Sequence, residues 1–316
     1  MSSEVKPFAA DHLDAAVALF VAAYREERSH APLLPSRALD DPDWLRSLLQ
    51  PYLDHPGVAV VDGDELLAYM LTGPIFDWKG QRCALVPEVA HSATAAHKAA
   101  RYQRMYMCLA QEWVAAGVHV HLIGYLAHDG VLQETLYHLG FGAILAERLR
   151  GLSSIEARVD VPVVEVQDVA RLVDLEVEHT GYYPQSPIFL YREPNAEEAQ
   201  ADLDASLAQG DTILAIEEGG RPVAYLTVGR SSDDGEGLLL RDTNTAQVKG
   251  AYAQPAYRGR GFGAVLLQRA IQWARVAGYD RLMVEHETAN VFGGNFWRKH
   301  FTPYVTFAMR YVDCTL

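Results

Sequence analysis

The stretch from Ala246 to Ala277 constrains the fold of this chain more than any other. A run typical of a β-strand comes first, then Arg258-Gly259-Arg260-Gly261-Phe262-Gly263, then apolar residues at helical spacing that end at Gly278. This order predicts a strand, a glycine-rich turn and a helix. The unpaired N–H groups at the start of such a helix favour an anion, and glycines allow a phosphate to approach the backbone closely.

The spacing of the glycines indicates which class of phosphate-containing ligand the turn would bind. A Walker loop ends in Gly-Lys-Ser/Thr and a dinucleotide fingerprint reads G-x-G-x-x-G, whereas this turn reads G-x-G-x-G. Arg258-x-x-Gly261-x-Gly263 instead resembles the Arg/Gln-x-x-Gly-x-Gly/Ala signature of the GCN5-related N-acetyltransferase (GNAT) superfamily. In that family the loop holds the pyrophosphate of coenzyme A. The resemblance therefore implies acetyl-CoA as co-substrate.

The chain contains two similar halves. Residues 58–69 and 213–225 both read as a β-hairpin with a glycine turn. Further along, 113–117 is similar to 273–278. With the resemblance, this repeat predicts an α/β (α+β) fold of two tandem GNAT-like domains, each a mixed, largely antiparallel sheet flanked by helices. We place the domains at residues 1–155 and 156–316.

Composition excludes several classes of protein. The net charge of −14 argues against a nucleic-acid partner, and no apolar run reaches the length of a membrane span. The first seven residues lack the pattern of a secretory signal, so we expect a cytoplasmic protein. An exposed acidic loop is expected over 231–237. The sequence carries no signal for an oligomeric state.

The first copy differs from the second at the phosphate loop. Residues 91–100 contain no glycine and no Arg-x-x-Gly pattern, and a Cβ on each residue would crowd a pyrophosphate. We therefore predict that the first domain has lost cofactor binding. His119 and His121 are spaced to share one face of a strand, but no third ligand follows at a recognisable spacing. We predict no metal.

The resemblance assigns cofactor contacts residue by residue. It implies that the loop, the end of the preceding strand and an Asn at the start of the last helix hold coenzyme A. These residues are Tyr252, Ala253, Arg258, Gly259, Arg260, Gly261, Phe262, Gly263, Ala264 and Asn290.

Two positions depart from the family pattern for proton transfer. The Tyr that often stands seven residues after the Asn is Trp297 here, and the Glu of the histone-modifying branch is Gln247. The remaining acid/base candidates are Tyr252, Glu285, His286, Glu287, His300 and Tyr304. We favour Glu285 as general base, because the end of its strand is expected to open beside the thioester, with Tyr252 as a second candidate. A salt-bridged surface role for Glu285 is the alternative.

The interpretation that follows is an acetyl-CoA-dependent N-acetyltransferase whose second domain transfers the acetyl group to a small amine by direct attack. Residues 241–300 contain nine Lys or Arg and four Asp or Glu, whereas the rest of 156–316 contains six Lys or Arg and nineteen Asp or Glu. The acidic share would attract a cationic amine, near the aromatic loop 182–191 and Glu285–Glu287. The alternatives are a CoA-binding regulatory or scaffold protein without turnover, and a tandem acetyltransferase similar to mycothiol synthase.

Overall fold

The computed structural model describes residues 3–231, 237–241 and 243–315. Most of the loop expected over 231–237 lies outside the described residues. The chain forms two compact units, which we call unit 1 and unit 2. Unit 1 comprises Met1–Ala146 with Pro303–Leu316, and unit 2 comprises Glu147–Thr302.

Unit 1 contains two sheets with helices packed on them. Its elements in chain order are β1 Glu4–Pro7, α1 Leu13–His30, α2 Arg37–Asp40, α3 Pro42–Leu49, β2 Gly57–Asp62, β3 Glu65–Leu71, β4 Ile75–Trp78, β5 Gln81–Val86, β6 His91–Ala93, α4 Lys98–Ala115, β7 Val120–Leu126 and α5 Gly130–His138. Strand β8, Gly142–Gly151, crosses the division between the units. One sheet has the order β1-β2-β3-β6, and the other continues β4-β5-β7 with the last strand of the chain, β14, Thr302–Tyr311.

The sequence of residues 84–89 predicts a central strand in the first copy, and in the structure that strand ends at Val86. Strand β5 pairs in parallel with β7, whereas β6 pairs antiparallel with β3. Pro87 lies just after β5 and has no N–H to donate, which accounts for a break there. A side chain of the protein fills the loop before α4. The Arg101 guanidinium donates hydrogen bonds to the carbonyl oxygens of Thr94 and Ala96 in this loop. The loss of cofactor binding in this copy stays a prediction, which this side chain supports.

Unit 2 is built on one sheet. Its elements are β9 Val164–Glu165, α6 Val173–Thr180, α7 Ala196–Ala208, β10 Thr212–Glu218, β11 Arg221–Arg230, β12 Thr245–Ala253, α8 Phe262–Val276, β13 Arg281–Glu287 and α9 Val291–His300. The strand order is β8-β13-β12-β11-β10-β9. Strands β9 to β12 are antiparallel, and β12 pairs in parallel with β13.

The sheet of unit 2 is covered by helices on both faces. On one face the apolar stripe of α8, including Leu267 and Ile271, packs against β12 and β13 residues such as Val248. On the other face α6 and α7 bury Leu175 and Leu203 against β10 and β11. An apolar helix stripe on an apolar sheet face removes both from water, which is the main stabilising contribution of these layers.

Several predicted elements are confirmed and one is wrong at its start. The strand–turn–helix centred on the glycine turn and both hairpins are present. The amphipathic pattern of the sequence predicts a helix over 165–178, but residues 164–165 pair with β10 and the helix α6 begins at Val173. None of the helices in the described part of the chain combines the length and the apolar run that crossing a bilayer requires.

Candidate functional site

The two central strands of unit 2 separate partway along their length. Strands β12 and β13 pair only where Thr245–Val248 lies beside Arg281–Val284, although each strand continues beyond that point. The register of β12 with β11 shifts there, so that Lys249 is the extra residue of a β-bulge. Past this point the facing edges of β12 and β13 are open, and backbone polar groups become available between them.

One cavity of unit 2, which we call the loop cavity, has a volume of about 500 Å³ and is lined by the glycine turn. Gly259 and Gly261 have left-handed backbones, with φ of +76° and +89°. Gly261 caps α8, and its carbonyl oxygen accepts from Ala264 and Val265. The N–H groups that precede these bonds are the unpaired donors of a helix start. The loop is therefore built for an anion close to the backbone.

The cations around the loop cavity differ from those expected. Arg158, Arg258 and Lys299 line the cavity, with Glu156 as a nearby carboxylate. Arg260 is exposed, lies over the Tyr257 ring at 4.8 Å and is not among the lining residues. Sequence reasoning missed Arg158, which stands in the segment before β9 and has no motif of its own.

Arg258 holds the loop to the end of the strand. Its Nε donates to the carbonyl oxygen of Ala253 at 2.9 Å, and its guanidinium lies 4.7 Å from the Tyr182 ring centroid. The rings of Tyr252 and Phe292 flank it at 5.4 and 5.6 Å. A cation stacked on aromatic faces is fixed in position, so Arg258 fastens the turn to β12 and to the aromatic loop.

The comparison with known families agrees with this geometry. The model of the acetyltransferase (GNAT) family matches residues 174–301. This segment is a GNAT domain. It contains the opened strands, the glycine turn and Asn290.

Solved structures extend the likeness to the whole chain. A GCN5-related N-acetyltransferase from Sphaerobacter thermophilus superposes with a TM-score of 0.60 at 12% identity, over 98% of this chain and 95% of that one. A GCN5-related glucosamine N-acetyltransferase region of a fungal multi-domain GH3 β-N-acetylglucosaminidase gives 0.56 at 10% identity, over 98% of this chain and 38% of that one. At these identities the likeness establishes the fold alone, and it confirms the predicted fold class. No curated protein matches the sequence.

Asn290 stands where the GNAT resemblance expects it, at the start of α9. Its Oδ1 accepts hydrogen bonds from the Gly293 N–H at 3.0 Å and from the Tyr182 hydroxyl at 3.2 Å. The amide therefore caps α9 and ties the aromatic loop to it. Asn290 also lines the loop cavity.

A second cavity of the GNAT domain, which we call the acidic cavity, has a volume of about 280 Å³. Its lining carboxylates are Glu176, Asp202, Glu285 and Glu287. The two lining cations already have acidic partners: Lys249 contacts Asp211 at 2.8 Å, and Arg192 contacts Glu287 at 3.7 Å. The cavity is therefore negative on balance and suits a cationic guest.

The two predicted catalytic residues lie in different cavities. Glu285 lines the acidic cavity, and Tyr252 lines the loop cavity. The Tyr252 hydroxyl donates to Glu178 Oε1 at 3.1 Å. Burial, followed by the Glu178 charge, raises the pKa of Tyr252 to about 12. Tyr252 is therefore a protonated hydrogen-bond donor at neutral pH.

The other acid/base candidates are constrained by their partners. The Nε2 of His286 accepts from Arg148 at 3.0 Å while its Nδ1 donates to the Glu287 carbonyl oxygen at 2.9 Å, so both ring nitrogens are engaged. Burial lowers the pKa of His286. Glu287 lines the acidic cavity and His300 the loop cavity, whereas Tyr304 is fully buried in unit 1.

The residues at the two positions that depart from the family are buried. Trp297 is 7% exposed and lines both cavities, and Gln247 is 4% exposed on the paired part of β12. Neither side chain supplies a group that exchanges a proton near neutral pH.

A three-residue cluster that the sequence did not reveal lies where the cavities meet. The Tyr225 hydroxyl donates to Glu176, and His179 Nδ1 lies 2.8 Å from the same hydroxyl oxygen. Both His179 and Tyr225 line the two cavities. Glu176 and His179 have the i, i+3 spacing of one helix face, which was the available signal. The helix that the sequence predicts over 165–178 ends before His179, whereas α6 continues to Thr180 and includes it.

The ionisation states of this cluster follow from its contacts. Burial, then the Glu176 charge, raises the pKa of Tyr225 well above its ordinary value. Burial by itself would raise the pKa of Glu176, but the contact with His179, the hydrogen bond from Tyr225 and the Arg192 charge together outweigh burial and lower it. Glu176 is thus a carboxylate and Tyr225 a neutral hydroxyl. In the described part of the chain, no three or more His, Cys, Asp or Glu side chains form a group that could hold a metal.

Proposed function

We propose that unit 2 is an acetyl-CoA-dependent N-acetyltransferase that acts on a small, positively charged amine by direct attack. The observation that carries this proposal is the meeting of the two cavities. Their shared lining residues are His179, Tyr225, Ala251, Asn290 and Trp297. A donor in one cavity and an acceptor in the other would meet at the separated strands, which is the proximity that a transfer reaction needs.

The residues around the loop cavity fit coenzyme A. Helix-start N–H groups and two left-handed glycines suit a pyrophosphate, and Arg158, Arg258 and Lys299 supply positive charge. The remaining loop positions, Gly259 to Ala264, would contribute mainly backbone. A Cβ at Gly263 would come within 3.3 Å of the Phe296 ring, so the small residue there keeps the cradle open.

Acetyl-CoA would supply the acetyl group as a thioester. Backbone N–H groups at the open edge of β12 would polarise the carbonyl of a bound thioester. The carboxylates of the acidic cavity, including Glu285, would draw in the amine. Glu285 and His179 are both candidates for the general base, and the kinetics of the Glu285→Gln and His179→Gln variants distinguish them.

A steady-state assay of thiol release over a panel of primary amines tests the proposal, together with calorimetry of CoA binding. Turnover that depends on a cationic amine supports the enzyme. CoA binding without turnover by any amine would favour the CoA-binding regulatory protein, an alternative supported by the buried Trp297 at the usual Tyr position. The existence of the acidic cavity favours the enzyme, since a purely CoA-binding protein needs no acceptor site.

A further inference from the structure

In the cluster of Glu176, Tyr225 and His179, the contacts determine which group is the donor in each hydrogen bond. Tyr225 uses its only hydroxyl hydrogen toward the Glu176 carboxylate, so its oxygen acts as acceptor toward His179. His179 must then carry its proton on Nδ1. In the neutral ring the second nitrogen, Nε2, is left with a lone pair.

The residue that carries this nitrogen lies at the junction of the cavities. His179 is half-buried and lines both of them. Within the described part of the chain, no residue hydrogen-bonds to Nε2, whereas both nitrogens of His286 are engaged. Of the two histidines that line the acidic cavity, His179 is therefore the one with a nitrogen ready to accept a proton.

We infer that His179 Nε2 is the proton acceptor for the amine in the proposed acetyl transfer, and that Tyr225 and Glu176 position it. The inference rests on the proposed function. Glu176 Oε1 lies 3.5 Å from His179 Nδ1, so the carboxylate would stabilise the imidazolium that forms. This arrangement assigns the base role to His179 and leaves Glu285 the role of attracting the amine.

The proton and electron balance closes with this residue and solvent. A cationic amine first gives one proton to Nε2, which releases it to solvent and leaves the amine neutral. As the new N–C bond forms, the C–S bond breaks and its electron pair leaves on sulfur. The second proton released from nitrogen goes to Nε2 and then to the thiolate, so the ring returns to its neutral state. Acid and base are then the same imidazole, and the missing Tyr at position 297 leaves no gap in the sequence of proton transfers.

The groups that face His179 come from several elements. From its own helix these are Glu176 and, one residue away, Glu178, which accepts from Tyr252 and Gln254. The aromatic rings around it are those of Tyr183, Tyr225 and Tyr252, with centroids 5.3, 6.0 and 5.1 Å away. Glu176 thus places a negative charge 3.5 Å from Nδ1, which favours a transient imidazolium. The nearby positive charges are those of Arg192, over the Tyr183 ring, and Arg258, over the Tyr252 ring.

Substitution of His179 by Gln is the first test. We expect kcat to fall by about 100-fold or more with KM for the amine nearly unchanged, as for loss of a general base. CoA affinity measured by calorimetry should stay near that of the wild type, which also shows that the variant folds. His138→Gln, an exposed histidine of unit 1, is the matched control and should retain wild-type turnover.

The positioning role of Glu176 has its own readout. In Glu176→Gln the Nδ1–H loses the carboxylate that would stabilise the imidazolium, so kcat should fall by about 10-fold while KM for the amine changes little. The nitrogen signals of the His179 ring, assigned by their loss in His179→Gln, report the tautomer independently of turnover. Nitrogen shifts in the wild type should show Nε2 unprotonated when the ring is neutral. Tyr225→Phe, which keeps the ring, should abolish that tautomer preference.

The outcomes separate the two proposals. Turnover by the wild type with an unchanged kcat in His179→Gln overturns the His179 assignment and leaves the acetyltransferase standing. A kcat that Glu176→Gln leaves unchanged overturns the positioning role of Glu176. Failure of the wild type to turn over any amine overturns the proposed function and this inference with it.

Discussion

Val159 lies directly against Gly261, so that a Cβ on the glycine would come within 3.1 Å of the valine Cγ2. The segment before β9 therefore closes one side of the glycine turn. Space at the cap of α8 is limited both by this neighbour and by the left-handed backbone.

Gly261→Val should remove CoA binding, because the side chain would occupy the approach to the backbone and strain the cap by about 1–2 kcal/mol. Calorimetry should give one CoA per wild-type chain and none for the variant. Gly278→Val is the matched control: its glycine has φ of +81° at the other end of α8, with open space around it. It should show a similar loss of stability with normal CoA affinity. Two equivalent CoA sites per wild-type chain would contradict the prediction.

The two arginines of the turn should contribute differently to the affinity for CoA. Arg258→Ala loses the bond to Ala253 and a cation that lines the loop cavity, and charge-assisted contacts are worth about 1.5–3 kcal/mol each. We expect CoA binding to weaken by roughly 10-fold or more. Arg260→Ala should change affinity little, because that guanidinium is exposed and lies over Tyr257.

Titration of both variants with CoA and dephospho-CoA checks this order. Arg258→Lys keeps the charge but not the planar stacking, and should bind CoA less tightly than wild type. If Arg260→Ala weakens CoA as much as Arg258→Ala does, the assignment of the two arginines is wrong.

Glu285→Gln keeps the size of the side chain and removes its charge. If Glu285 attracts the amine, KM for a cationic amine should rise while kcat stays within a few-fold, and the effect should fade as salt is added. Steady-state kinetics at low and high ionic strength measures both quantities. A fall in kcat of about 100-fold at steady KM would instead return the role of general base to Glu285.

Two buried histidines of unit 1 should make stability depend on pH. His91 and His121 each accept from a tyrosine hydroxyl, of Tyr102 and Tyr106, and burial lowers the pKa of each to about 4. Between pH 6.5 and 4 the unfolded chain binds protons that the folded chain does not. The free energy of unfolding should therefore fall as the pH drops through this window, by roughly 3 kcal/mol for each histidine at its lower end.

Urea denaturation at pH 7.5 and pH 5 measures this loss. Replacing His91 by Gln should make stability less dependent on pH, whereas His138→Gln, at an exposed position, should leave the dependence unchanged. A pH dependence in His91→Gln equal to that of the wild type would show that His91 does not carry the effect.

The sequence predicted the parts of the fold that depend on local pattern. The glycine turn, the helix after it and both hairpins are set by residues close together in the chain, and all are present. The start of α6 was wrong because residues 164–165 pair with β10, a contact nearly fifty residues away that overrides helical periodicity. Local pattern carries no information about such a pairing.

The candidate site also has a part that local sequence predicts and a part that only the fold brings together. Arg258 to Gly263 form one motif and could be assigned from spacing. Tyr225 lies on a strand, and its partners Glu176 and His179 lie on a helix, so only folding joins them. Arg158 likewise reaches the loop cavity from a segment without a motif. The tandem boundary at 155 and 156 stays a prediction about the two copies.

The paired part of strand β14 is synthesised after every residue of unit 2, yet it pairs antiparallel with β7, from Val305 opposite Leu126 to Tyr311 opposite Val120. While a ribosome is still making unit 2, one edge of β7 has no strand beside it. An unpaired strand edge is a template for pairing with another chain, so the nascent protein carries an aggregation risk that the finished protein lacks. A fragment that stops at residue 155 would keep that risk permanently.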